Sequence, residues 1–338
     1  FTLSTIMKSL TRSLLSLKLT VLLAAALPLL NAHGEKAEKA AADAPAAEAA
    51  KPEPGSADEI FAAPAPLDLN GFGSEAPGQR TDLPERGVIK LGPKDFIHNS
   101  MQHWEQYDWT TFKTSRWGRY NVRLTYTLGR ASLPVQFRLG EQRLKKNLTG
   151  TKTAAQAYLG TVYLEKTDAA PFSLFAPSTG AEPALHIQEI AFIPARESDE
   201  EIAPAEDGSL LLPAKAAITW SETMRYEPKP EKDCLGFWTE PADFAEWEFV
   251  LTKPGRYRVI VTQGCGSENG GSKVELRLNG QKTSFTVADT GGFQNWKEVD
   301  AGILDIQKTG MQRLVVQPLE KKGKAVLDIK SVQLVPAS

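Results

Sequence analysis

Two stretches of this chain mix aromatic rings with carboxylates and amides: Phe237-Trp238 followed by Glu240 and Asp243, and Phe293 followed by Asn295 and Trp296, with Asn269 between them. A Trp or Phe face stacks on the apolar C–H face of a pyranose, while Asn, Asp or Glu at the rim hydrogen-bonds its hydroxyls. These residue types suit carbohydrate recognition, and both stretches read as loops between strands. The competing reading is packing beneath those loops, above all for Trp238 and Trp296. Trp247 alternates with Phe249 and reads as core.

Bond-breaking chemistry is poorly supplied. The four histidines are His33, His98, His103 and His186, so nothing after residue 195 can build a His-dependent triad or zinc cluster. Gly264-Cys265-Gly266-Ser267-Glu268-Asn269-Gly270 misses the G-x-G-x-x-G spacing by one residue and leads into a strand. Asp and Glu abound, yet no pair stands out as the two carboxylates of a glycoside hydrolase. The chain is expected not to be an enzyme. Cys234 and Cys265 flank two predicted strands; in an oxidising compartment a disulfide between them would contribute about 3–4 kcal/mol in the chain-entropy picture. Otherwise they are two reduced, buried thiols.

The stretch 235–266 organises the elements around these residues. Trp247, Phe249 and Leu251 alternate on one predicted strand, Pro254-Gly255 makes a turn, and Tyr257, Val259 and Val261 alternate on the next, which predicts an antiparallel pair. Residues 104–124 repeat the plan, with Gly-Arg-Tyr-x-Val shared. The offset between matching positions grows slowly in one direction: 121 for Ile97 and Ile218, 137 for Gly118 and Gly255, 142 for Gly160 and Gly302. A repeat this long is a duplicated domain, since solenoid units are several-fold shorter. Helical periodicity is absent, and eight or nine short strands per copy fit a jelly-roll β-sandwich.

Length allows two domains, and 39 Lys and Arg against 41 Asp and Glu leave no global basic field for nucleic acid or anionic lipid. Read from Met7 as the start, basic residues precede the apolar run LTVLLAAALPLL, which reads as a signal peptide over 1–32 and is too short for a membrane span. Residues 33–84, rich in Ala, Pro and Glu, read as a disordered linker. The first β-sandwich is expected over 85–195, an acidic linker over 196–208 and the second β-sandwich over 209–338.

The segments GFWTEPADFAEWEF, KPGRYRVIVTQGCGSENGGSKVEL, DTGGFQNWKEVDAGILDI and AVLDIKSVQLVP resemble a galactose-binding-like β-sandwich, the fold of many carbohydrate-binding modules. More closely they resemble the C-terminal accessory domain of secreted bacterial sulfatases, over almost all of 210–336. The sulfatase nucleophile motif Cys-x-Pro-x-Arg is missing. The resemblance implies a structural calcium shared by a first-strand acid and a last-strand Asp, here Glu227 and Asp328, one ion at most. The first copy has Glu105 at the first position and His186, a poor calcium ligand, at the second. The expectation is therefore all-β, two tandem jelly-roll sandwiches, secreted or periplasmic. The expected function is attachment to extracellular polysaccharide or glycan, sulfated glycans included. The alternative is a structural module packing on a catalytic partner such as a sulfatase, without a sugar site.

Overall fold

The computed structural model describes residues 83–110, 112–165, 171–178 and 184–337, all within one compact unit spanning Glu53–Ser338. The expected signal peptide, and the linker up to residue 82, lie outside the described residues. What is described is all-β apart from two three-residue 3-10 turns, Pro93–Asp95 and Ala214–Ala216. Among the described residues no helix is long and apolar enough to cross a membrane.

The N-terminal half holds β1 (Ile89–Leu91), β2 (Ile97–Ser100), β3 (Trp104–Trp109), β4 (Gly118–Leu139), β5 (Gln142–Leu164), β6 (Phe172–Pro177) and β7 (Leu185–Pro194). They form one antiparallel sheet in the order β1-β7-β4-β6-β3-β2, with β5 also paired to β4. The long strand β4 explains the shape. Its buried residues are even-numbered at first, Tyr120, Val122, Leu124, Tyr126 and Leu128, and then odd-numbered, Leu133, Val135, Phe137 and Leu139. Side chains alternate with a strict period of two, so a change of phase would turn the second set outward unless the ladder slipped. Register shifts between Tyr126 and Leu128 and between Leu128 and Ser132 absorb it. The first part of β4 pairs with β7 and the last part with β6. The sheet thus folds over itself, and Phe172 of β6 meets Phe192 of β7 at 5.1 Å between ring centroids although those strands are not neighbours.

The C-terminal half has two sheets. One runs β10 (Arg225–Glu227), β11 (Cys234–Gly236), β18 (Asp328–Pro336), β13 (Gly255–Cys265), β16 (Gly292–Ile306), with β8 (Leu210–Pro213) on β18. The other runs β15 (Gln281–Thr286), β14 (Lys273–Leu278), β17 (Gly310–Glu320), β12 (Phe244–Leu251), β9 (Ile218–Trp220). Trp247 and Phe249 from the second and Val259, Val261 and Leu334 from the first share one core. The Pro254-Gly255 turn therefore joins strands of opposite sheets, β12 and β13, which do not pair; the hairpin expected there is corrected. Both strands alternate because each presents one face to the same core from opposite sides.

Matched residues of the two halves occupy matched places. Tyr120 lies opposite Pro194 and Tyr257 opposite Pro336. Val122 faces Gly160 and Val259 faces Gly302, and each pair abuts a register shift. Both glycines have positive φ, 144° and 104°, as a bulge of this kind requires.

The halves touch closely. Ala191 and Ile193 of β7 pack with Ile218 and Trp220 of β9, and Leu83, Val88 and Phe244 close round them. Arg86 Nε donates to Asp243 Oδ1 at 2.7 Å, and Ser221 Oγ donates to Asp243 Oδ2 at 2.6 Å. The acidic segment 196–208 is pinned: Glu197 accepts from the backbone N–H of Arg119 at 2.9 Å, and Lys215 pairs with Glu200. Removing one partner from a buried carboxylate leaves it without compensation. Arg86→Met should therefore lower unfolding stability by about 1–3 kcal/mol, discounted for the partial exposure of Arg86, read as a lower urea midpoint.

Candidate functional site

Alternation also decides which side chains face outward. On β13, Val259 and Val261 enter the core while Thr262 and Gly264 face away from it. Gly264 lies opposite Asp328 at the start of β18. A Cβ there would sit 2.0 Å from the Phe293 carbonyl oxygen and 3.3 Å from Trp296 Cζ3. Only a glycine lets β16 cross so close, and the crossing lays the Trp296 ring on the outer face of the sheet.

Of the other expected residues of this stretch, the Phe293 ring lies against Gly266, where an added Cβ would be 2.6 Å from its Cε2, and Asn295 lies against Gly292. Phe293 and Trp296 are half-buried and Asn295 is exposed, its Nδ2 donating to the Thr290 carbonyl at 3.0 Å. Lys330 Nζ stands 5.5 Å from the Trp296 ring centre. Gln294, absent from the sequence expectation, donates through Nε2 to Asp328 Oδ2 at 3.4 Å. A strand-to-strand approach made by one glycine carries no residue-type signal for Lys330 or Gln294.

The other expected sugar contacts are placed elsewhere. Trp238 is fully buried in the core, and its carbonyl accepts from the Val326 N–H at 2.8 Å. Phe237, with φ of 60°, turns the chain so that its own ring is 44% exposed while Trp238 points in. Asp243 is fully buried as the anchor for Arg86 and Ser221. Asn269 clasps two loops: its Oδ1 accepts from the Lys324 and Ala325 N–H groups at 2.8 and 3.2 Å. Glu240 is exposed.

Next to the Trp296 platform lies a buried acidic cluster. Glu227 faces Cys234 in register, and ligand-type atoms of Glu227, Cys234 and Asp328 all lie within 4.8 Å of one another. Lys232 Nζ donates to Glu227 Oε1 at 2.6 Å, and the Cys234 thiol points at Asp328 Oδ2 at 3.8 Å. Burial, with Glu227 beside it, pushes Asp328 up to about 7. Burial also raises the Cys234 thiol well above its usual range. Two residues before Glu227, the Arg225 guanidinium lies 3.1 Å from the Trp117 ring centre and 3.4 Å from that of Phe237. Desolvation lowers its pKa to about 10.

This donor set does not fit calcium. The ion takes six to eight oxygens, whereas here one of two carboxylates is capped by an ammonium and the third donor is a thiol. In the N-terminal half Glu105 is likewise capped, by His98 Nε2 at 2.5 Å, while His186 is exposed. The disulfide expectation is corrected as well: Cys234 and Cys265 are free and buried. They sit on β11 and β13 with β18 between them, and the spacing of those strands alone, about 9–10 Å, is beyond the roughly 7 Å between Cα atoms that a disulfide spans.

Residues 219–337 match a family model described as a domain of unknown function (DUF5077). No curated protein matches the sequence. Among solved structures the chain is similar to a xanthan lyase from Paenibacillus, at 11% identity and TM-score 0.31, over 75% of this chain and 25% of that one. It is also similar to a family 35 carbohydrate-binding module from Clostridium thermocellum, at 15% identity and TM-score 0.33, over 38% of this chain and 98% of the module. A third is the C-terminal CBM6 of LamC, a marine laminarinase from Zobellia galactanivorans, at 16% identity and TM-score 0.31, over 38% and 98%. The chain spans a quarter of the lyase's length.

Two outcomes follow from this chemistry. Thermal midpoints should be equal in calcium, in EDTA and with added reductant, and both thiols should react with a thiol reagent only after denaturation. The folded pKa of Asp328, about 7, lies above its ordinary 3.8, so its contribution to stability is complete below pH 4 and is lost as pH rises through 7. Asp328→Asn should remove that part of the pH dependence, seen as the difference between the two proteins' urea midpoints from pH 4 to 8.

Proposed function

We propose that this chain is a secreted, non-catalytic carbohydrate-binding protein, built from two tandem copies of one jelly-roll β-sandwich, that attaches to extracellular polysaccharide. The observation that carries this reading is the Trp296 ring on the outer sheet face, with Lys330 Nζ 5.5 Å from its centre and the amides of Gln294 and Asn295 beside it in the chain. A half-exposed ring held rigidly by a strand crossing and ringed by amide and ammonium donors is what a pyranose needs: an apolar face and fixed hydrogen-bond partners. The non-catalytic part rests on the residues. No histidine stands in the C-terminal half, and the carboxylate cluster at Glu227 and Asp328 is already engaged by Lys232 and Gln294. The apolar run after Met7 supports export.

A second reading is a module that packs on a catalytic partner such as a sulfatase. It draws on Val250 and Met311, opposite each other in register and each 45% exposed, but two side chains make a smaller apolar patch than partner docking uses.

The test is retardation of residues 33–338 in native gels cast with neutral, uronate and sulfated polysaccharides. Retardation should occur with at least one class, and Trp296→Ala should weaken retardation by a neutral polymer at least tenfold, without a change of thermal midpoint. Absence of retardation by every class would transfer the weight to the packing reading.

A further inference from the structure

The N-terminal half has an outer face that the Trp296 platform does not involve. On β6, Phe172, Leu174 and Ala176 are buried, so Ser173 and Phe175 face away from the core. On β4, burial of Val135, Phe137 and Leu139 turns Gln136 and Arg138 the same way. Strand register aligns these residues across the sheet. One row runs Asn99, Gln106, Phe175, Gln136, Lys145, and the next runs Ile97, Asp108, Ser173, Arg138, Arg143.

The two ends of these rows differ in chemistry. At the β2–β3 end the Asp108 carboxylate accepts from Ser173 Oγ at 2.6 Å, Gln106 Nε2 at 2.8 Å and Asn99 Nδ2 at 3.2 Å. These are fixed groups of the kind that bind hydroxyls. At the β4–β5 end the Arg138 guanidinium lies 4.3 Å from the Phe175 ring centre and is held by Gln136, to whose Oε1 its Nε donates at 2.6 Å. Among the described residues it makes no ion pair. Arg143 stands directly opposite it; its Nη2 lies 3.9 Å from the exposed Glu141 carboxylate, and its Nη1 donates to the Gly140 and Gln142 carbonyls at 2.5 and 3.1 Å. Residues 130–152 carry six Lys and Arg against one acid, Glu141, in a chain whose net charge is −2. Like charges directly opposite on paired strands are destabilising, and the exposed Glu141 at 3.9 Å offsets this pair only weakly. A stacked, pre-oriented guanidinium with Arg143 and Lys145 on the neighbouring strand suits a planar anion.

We propose that this face binds an acidic polysaccharide, with a carboxylate or sulfate against Arg138, Arg143 and Lys145 and the hydroxyls of the neighbouring sugar on the Asp108, Gln106 and Asn99 end. It extends carbohydrate binding to the half without the Trp296 platform and does not depend on that platform.

The experiment compares four proteins in gels containing a polyuronate, a sulfated galactan or a neutral glucan. They are wild type, the triple substitution Arg138→Gln, Arg143→Gln, Lys145→Gln, a control with equal charge loss at exposed sites (Lys229→Gln, Lys253→Gln, Lys308→Gln), and Trp296→Ala. The triple variant should lose about tenfold or more in apparent affinity for an acidic polymer. The control and Trp296→Ala should keep it, and added salt should weaken binding of the wild type. Which polymer responds, polyuronate or sulfated galactan, identifies the anion. If the triple variant shifts the thermal midpoint, the pair Arg143→Gln and Lys145→Gln replaces it. Equal loss in the control, unchanged acidic binding in the triple variant, or no retardation of wild type by either acidic polymer would overturn the proposal. A loss confined to neutral binding in Trp296→Ala bears on the other site alone.

Discussion

The period-two alternation of a β-strand is the constraint on which the rest of this structure depends. An odd residue inserted anywhere in a long strand sends every later side chain to the wrong face. Both halves contain such an insertion and answer it with a register shift. In β4 the shifts between residues 126 and 132 bring Leu133, Val135 and Phe137 back to the core. In β16 the extra residue Ala301, opposite the Val259–Ile260 step of β13, does the same between Val299 and Leu304. The outward faces are the complement of that solution, so Arg138 faces out because Phe137 and Leu139 do not.

A second regularity is the handling of buried charge. Asp243 is matched by Arg86, Glu227 by Lys232 and Glu105 by His98. A carboxylate taken out of water is expensive unless paired and hydrogen-bonded, and in each case this chain supplies the partner from its own sequence. At Glu227 that internal pairing stands where an oxygen-rich ion site would otherwise be expected. Arg225 follows the same logic with aromatic rings: Trp117 from one half and Phe237 from the other, inclined at 68°, both lie against its guanidinium, an arrangement that joins the halves through cation–π contacts.

Much of the strand framework was legible from the residues. The alternations around Trp247, Val259 and Phe137, the absence of helical periodicity and the matched Gly160 and Gly302 all reflect local rules, and the structure places those residues accordingly. Less was legible in β5, most of which the sequence pattern missed. Its residues 142–158 are polar, and their extended conformation comes from pairing with β4 and not from a period of their own. Pro254-Gly255 reads as a hairpin because local chemistry cannot tell a turn within a sheet from one that crosses between two.

For the sites the division is sharper. The sequence by itself determined composition: aromatic rings with amides near residues 237–243 and 293–296, two cysteines, no histidine after residue 186. Only the tertiary structure decided which ring faces solvent. Trp238 and Trp296 have the same residue type and similar flanks, yet one follows a positive-φ residue into the core and the other lies over a glycine on the outer face. The tertiary structure alone also set β18 between Cys234 and Cys265 and lined Asp108, Phe175, Arg138 and Lys145 across four strands distant in sequence. Local propensity acts over a few residues, whereas the face a side chain occupies is set by register against strands up to about a hundred residues away, and no short pattern records that register.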